Sequence, residues 1–286
     1  MLRPLLALVA CAVVAGCAPA MTGPSITTTA TGIAEQIPVS VSKPDGPGPF
    51  PAVVIMHDCS GLGPVSSGAP GRWATELVSH GYVVVIPDSF TTRGLPHGVC
   101  TVPPSQRRTN VNPDRRAVDA YAALAYTRTL PYVDGRRVGI MGGSHGGSTT
   151  LATMRAPRGS SAPLADEKRE GFAAAVALYP SCEFLSSMYR PVAPLLILIG
   201  EKDDWTPAEP CRKLAAGAQA AGLPVRLKVY PGAHHSFDSA NRVRYVAARI
   251  NPSVPGGRGA TTGGDPAAWA DSIREVLAFF HQHLDR

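Results

Sequence analysis

V-G-I-M-G-G-S-H-G-G-S-T-T, residues 138 to 150, decides the fold of this 286-residue chain. An apolar run, Val138 to Met141, enters two glycines, one serine, a histidine and two more glycines, and small residues suited to a helix continue to Met154. The spacing Gly142-x-Ser144-x-Gly146 is that of a nucleophile elbow, a tight strand-to-helix turn that holds a serine in a strained conformation with its hydroxyl exposed. Side chains at 142 and 146 would crowd such a turn. Glycine supplies 29 of the 286 residues, so the bare motif is weak and its context decides. Strand, turn and helix follow in the required order, which makes Ser144 the candidate nucleophile.

On either side of this stretch, apolar runs alternate with helical segments. Ile37 to Val41, Ala52 to Met56 and Tyr82 to Ile86 read as strands, with helices over Arg72 to His80 and Asp114 to Arg128, the second capped by Asp114. Beyond the elbow, Ala173 to Leu178, Leu195 to Ile199 and Val225 to Tyr230 read as strands and Ala208 to Ala221 as a helix. Asp265-Pro266 opens a last helix with Trp269, Ile273, Val276, Leu277, Phe280 and Leu284 on one face. Short apolar strands separated by helices imply the α/β class: a mostly parallel central sheet with helices on both faces. The stretch 36–286, about 250 residues, suffices for one well-buried domain. Three irregular stretches interrupt the rhythm: Thr91 to Pro113, Ala156 to Gly171 and Ser239 to Gly264. The first and third follow strand ends on the edge where such sheets bind ligands, and should lie near Ser144.

A serine is a weak nucleophile unless a base takes its proton, and the base needs a carboxylate to fix its tautomer. Leu195 to Ile199 runs into G-E-K-D-D-W-T-P (200–207), and Val225 to Tyr230 into P-G-A-H-H-S-F (231–237). Both partners therefore stand after strands, downstream of the serine. With these residues the chain resembles the dienelactone hydrolase family of α/β-hydrolases from about Ile37 to its end. The family motif G-x-x-D-x-x-x-P matches Gly200, Asp203 and Pro207, so the resemblance implies Asp203 as the acid. G-x-G-H-S-F matches Gly232 to Phe237 with His234 in place of the last glycine, which implies His235 as the base and leaves His234 as the competing residue.

Ester cleavage also needs donors for the developing oxyanion: the N–H after the nucleophile and one from the loop after an earlier strand. These map to His145 and to Cys59 in H-D-C-S-G (57–61). Asp58 reads equally as the cap of a strand-end turn and as the substrate-facing acidic residue that relatives often place there. The chain departs from the family's namesake, which uses a cysteine where Ser144 stands and an arginine four residues after the base, where Ser239 stands. A second family arginine, after the P-D-x-[FY] strand end at Pro87 to Phe90, corresponds to Arg93. The resemblance thus implies a serine hydrolase of small carboxylic esters or lactones, working through an acyl-enzyme without cofactor or metal. With one clamp position lost, neutral substrates are expected over dienelactone itself. Two other readings are a catalytically idle envelope lipoprotein that binds a ligand or partner, and a peptidase-like acyl hydrolase, since G-G-S-x-G-G also resembles the elbow of prolyl-oligopeptidase-type enzymes. The full Ser, Asp and His set argues against the first. Against the second, no propeller domain precedes the catalytic part.

Leu2 to Ala15 is almost wholly apolar and ends in Val14-Ala15-Gly16-Cys17. It is too short for a membrane span, which needs about 20 apolar residues, and reads as an export signal. Val-Ala-Gly-Cys resembles the lipobox of bacterial lipoproteins. Residues 1–16 are then a signal peptide, Cys17 the lipidated first mature residue and 17–35 a flexible tether to the 36–286 domain; plain cleavage near Ala18 to Ala20 is the alternative. The protein is expected to be exported, anchored facing the periplasm or otherwise periplasmic or secreted. Of the remaining cysteines, Cys59, Cys100, Cys182 and Cys211 allow three pairings. Cys59 with Cys100 and Cys182 with Cys211 are preferred, because each pair follows neighbouring strands on the site edge. The formal charge of +6 is scattered rather than clustered, which gives nucleic-acid binding no footprint; the expected partner is a small-molecule ester or lactone, and the oligomeric state is not legible.

Overall fold

The computed structural model describes residues 23–107, 109–156, 171–183 and 189–285; the expected signal peptide and Cys17 lie outside them. Eight strands form one sheet: β1 (Ser25–Thr28), β2 (Glu35–Ser42), β3 (Phe50–Met56), β4 (Val83–Pro87), β5 (Val133–Gly143), β6 (Ala174–Leu178), β7 (Leu195–Gly200) and β8 (Val225–Tyr230). Their spatial order is β1-β2-β4-β3-β5-β6-β7-β8. From β4 to β8 all neighbours are parallel, while β1 and β2 add antiparallel edges. Every residue of β4, β6 and β7 is buried, as expected of strands covered on both faces.

The covering helices are α1 (Ala69–Ser79), α2 (Pro113–Thr127), α3 (His145–Met154), α4 (Ala208–Ala220) and α5 (Pro266–Leu284). α5 lies close enough to β5 that a Cβ on Gly139 would meet Phe280 at 2.8 Å; the missing side chain is the space the aromatic ring fills. Asp265 caps α5 by accepting from the N–H groups of Ala267 and Ala268. The cap of α2 is Asn112 rather than Asp114: Asn112 Oδ1 accepts from Arg115 N, and Pro113 takes the first helical position.

Two stretches are more ordered than the sequence suggests. Ser25–Thr28, read as tether, is β1, with Ser25 opposite Pro38 and Thr28 opposite Glu35. The third irregular stretch contains a hairpin, β9 (Arg244–Ile250) and β10 (Arg258–Thr262). It leans on the site edge through a bridge between His235 and Thr262 and a bond from Ile250 N to Cys100 O. At the far edge, Arg226 and Lys228 of β8 both pair with Glu275 on α5.

Arg93 is turned away from the hollows at Ser144 and into an ion-pair cluster, contrary to the placement expected from the family. Its guanidinium bonds both oxygens of Asp119 at 2.7 and 2.9 Å and Glu35 Oε1 at 2.7 Å, with its side chain 1% exposed. Thr28 Oγ1 donates to the same Asp119. A buried guanidinium needs a carboxylate fork, and Asp119 on α2 and Glu35 on β2 supply it on the side of the sheet where β1 is tied down. Arg93→Ala is expected to lower stability by about 3–5 kcal/mol, because it leaves buried carboxylates unpaired. Urea denaturation reads that loss, while the kcat/KM ratio between a neutral ester and one carrying a carboxylate should stay at the wild-type value.

Candidate active site

β5 delivers Ser144 into the turn at φ 54° and ψ −117°, a region that a residue with a Cβ occupies only under strain. Ser144 N is held by Leu178 O at 2.9 Å. A Cβ on Gly142 would lie 2.6 Å from the carbonyl oxygens of Met56 and Gly146, one on Gly146 would enter the Met56 carbonyl, and one on Gly147 would lie 2.6 Å from Leu178 O. The glycines around the serine are therefore required by close backbone approach across β3, β5 and β6.

The sheet brings the expected partners to this serine. Ser144 Oγ lies 2.9 Å from His235 Nε2, and His235 Nδ1 lies 2.8 Å from Asp203 Oδ2. Asp203 follows β7 and His235 follows β8, and both are buried. Asp203 Oδ1 accepts from the N–H groups of Trp205 and Thr206, and Thr206 Oγ1 stands 2.9 Å from Oδ2 and 3.0 Å from His235 Nδ1. The carboxylate thus cannot rotate away from the ring. Tyr179 and Trp205 flank the imidazole, each with its ring centroid at 4.7 Å. Tyr179 is fixed in turn by its hydroxyl donating to Asp238, which also accepts from Trp73 Nε1. His234 turns outward, its Nδ1 3.0 Å from Lys202 O.

The loop after β3 carries Cys59, and the first residue of α3 is His145; neither backbone N–H has an acceptor among the described residues. Two N–H groups beside the serine are therefore available to an oxyanion. Cys59 is disulfide-bonded to Cys100, and Cys182 to Cys211, with Cα separations of 5.0 and 5.1 Å. Asp58 borders the site, but its carboxylate accepts from Ser60 N, Ser60 Oγ and Ser67 Oγ. These bonds tie it to the loop after β3, while it also borders the polar hollow at Ser144.

Beneath these donors lies a residue the sequence reading did not single out. Arg116 is fully buried on α2; its Nη2 donates to His57 O at 2.9 Å, its Nη1 to His145 Nδ1 at 2.8 Å, and its guanidinium sits 4.9 Å from the Phe90 ring centroid. It braces both segments that carry these two N–H groups. Burial pushes its pKa down to about 10. Burial and the Arg116 charge hold the His57 and His145 imidazoles well below the usual histidine range. His57 is accordingly neutral, accepting from Ser89 N at Nε2 and donating from Nδ1 to Asp58 O.

Two hollows meet at Ser144. One, of about 420 Å³, is walled by Val99, Pro104, Ala152, Ile250 and Pro252 together with His145. The other, of about 330 Å³, is polar and includes Ser236, Ser239, Asn241, Arg244 and Arg249. The first and third irregular stretches do border the serine, as expected. Arg93 lines neither hollow; the cations at the polar one come from β9, in a stretch without strand periodicity, so only its position after the base hinted at them.

A strand-borne serine within hydrogen-bond reach of a buried His–Asp pair, on this sheet, is an arrangement suited to acyl transfer. The sequence profile of the dienelactone hydrolase family matches residues 37–284, and the chain belongs to that family. It is 24% identical over 234 residues, 74% of this chain and 78% of the relative, to a Yersinia pestis protein named "Putative carboxymethylenebutenolidase". Among solved structures, a Klebsiella pneumoniae protein described as "Putative Dienelactone Hydrolase" shares the fold with a TM-score of 0.65 at 20% identity, over 91% of this chain and 98% of that one. Thermogutta terrifontis esterase 2 does so at 0.60 and 21%, over 92% and 96%.

Removing the disulfide beside the oxyanion loop with Cys59→Ser/Cys100→Ser is expected to cost up to about 4 kcal/mol by the chain-entropy estimate and to lower kcat more than it raises KM, read by denaturation and steady-state kinetics. His57 gives a pH signature. Its folded pKa lies below its unfolded value of about 6.5, so the unfolded chain binds the extra proton; stability is full above that pH and declines as pH falls below it. Urea midpoints at about pH 5 and about pH 7.5 should differ less in His57→Gln than in the wild type.

Proposed function

We propose that this hydrolase cleaves small carboxylic esters or lactones through an acyl-enzyme formed on Ser144, with His235 as general base and acid and Asp203 as its orienting carboxylate. The observation that carries the reading is the continuous Ser144–His235–Asp203 chain at 2.9 and 2.8 Å. In the first step Ser144 Oγ bonds to the carbonyl carbon while its proton passes to His235 Nε2; the carbonyl electrons move to oxygen, which the N–H groups of Cys59 and His145 stabilise. Collapse expels the alkoxide, which takes the proton from His235. A water then gives its proton to His235 and its oxygen to the acyl carbon, and breakdown frees the acid and restores Ser144. From a lactone the leaving hydroxyl remains attached to the acyl group, and the product is a hydroxy acid.

The location forms part of the proposal: export, with lipidation at Cys17 at the start of a short tether ahead of β1. Two disulfides fit an oxidising compartment, and among the described residues no helix is long and apolar enough to cross a membrane.

Ser144→Ala should abolish labelling by a fluorophosphonate probe and lower kcat by several orders of magnitude; persistent labelling would refute the nucleophile. His235→Ala should be far more damaging to kcat than His234→Ala, and the reverse result would move the base by one residue.

A further inference from the structure

The scheme above uses only the backbone of His145, yet its imidazole is held in a specific state. Nδ1 lies 2.8 Å from Arg116 Nη1. A guanidinium can only donate, so Nδ1 is the acceptor and the single proton of the neutral ring sits on Nε2. Burial and the neighbouring positive charge keep that ring neutral. Nε2 has no hydrogen-bond partner among the described residues, nor is it among the sealed, unpartnered buried atoms. The residue is half-buried and lines the apolar hollow, so this N–H opens into it.

Several other polar side chains around that hollow are already engaged. Arg107 donates to the carbonyls of Val99 and Val102, Arg155 to Asp114 and Ser148 Oγ to Ser144 O, while Asn112 caps α2. His145 thus presents an uncommitted N–H to a predominantly apolar hollow, next to the nucleophile.

We propose that His145 is a specificity-determining residue whose Nε2–H donates to an oxygen on the substrate group filling the apolar hollow, with Arg116 as the positioning residue that fixes the tautomer. The substrate class is an ester or lactone whose hollow-filling group carries an acceptor oxygen, oxo or ether, away from the scissile carbonyl. A plain hydrocarbon of equal length would leave the donor unpaired in an apolar place, which is where discrimination is strong. The inference rests on the hydrolase reading above.

The test compares ester pairs that differ by one oxo group, placed on the acyl side in one pair and on the alcohol side in the other, each against its alkyl counterpart. Wild-type kcat/KM should favour the oxo member about tenfold or more on one side. His145→Phe should bring that ratio close to unity, and His145→Asn should recover part of it. In histidine-selective nitrogen NMR, the wild type should show His145 protonated at Nε2, and Arg116→Met should show mixed tautomers together with a reduced oxo preference. An equal ratio in wild type and His145→Phe, or a wild-type ring protonated at Nδ1, overturns the proposal whether or not Arg116→Met folds. Absence of turnover of every ester, with no fluorophosphonate labelling, would overturn the hydrolase reading and this proposal with it; turnover with an unchanged ratio overturns this one alone.

Discussion

The structure depends on one backbone conformation, Ser144 at φ 54°. A serine in that region costs about 1–3 kcal/mol, and it persists only because its surroundings permit no other course. Leu178 O holds its N–H from β6, while Gly142, Gly146 and Gly147 let β3 and β6 carbonyls approach where side chains would stand. The close approach is itself a consequence of parallel strands buried on both faces, whose apolar runs draw the sheet together. The same residues that build the core thus aim the hydroxyl.

A second level of constraint surrounds the first. Phe90, Leu95, Val99, Val111 and the Cys59–Cys100 pair make a small separate core beneath the oxyanion loop, and Trp205 packs against it. His57 packs edge-on against Phe90 with centroids 4.5 Å apart, and Arg116 threads between the His57 carbonyl and His145. A charged guanidinium without a carboxylate partner in contact is unusual in a protein interior. Here Nη1 and Nη2 go to an imidazole and a carbonyl on the two segments beside Ser144, while Asp119, Asp58 and Asp88 offset the charge from a distance.

How much of this was legible in the sequence depends on whether a residue's role is set locally. Ser144, Asp203 and His235 each follow a strand, and strand order with motif spacing was enough to expect them at one place, where the sheet brings them within hydrogen-bond reach. The cysteine pairs were legible because each follows neighbouring strands. Arg93 was misread because a position after a strand end does not say which way a side chain points. Its direction is set by Glu35 and Asp119, which are 58 and 26 residues away in the chain. Arg116 was passed over because in sequence it is one charge among several on an amphipathic helix. The strand β1 was hidden in a small, polar stretch, and it forms because β2 offers an edge. The β9–β10 hairpin forms its own two-stranded sheet, and β9 is exposed or half-exposed along its whole length; without a buried face β9 had no alternation to read. Asn112 and Asp114 flank one proline, and only the geometry separates cap from first turn.

The outer strand β8 raises a different matter, the colloidal behaviour of many copies. An open strand edge is a row of unsatisfied amides and carbonyls that can zip onto its like in another molecule. Here Arg226 and Lys228 punctuate that strand, and each is tethered to Glu275 on α5. Intermolecular zippering along this edge would have to strip water from two cations and tear them from their counter-ion. The arrangement makes the edge a poor template for fibril-like growth, and it does so with charges that lie outside the catalytic apparatus.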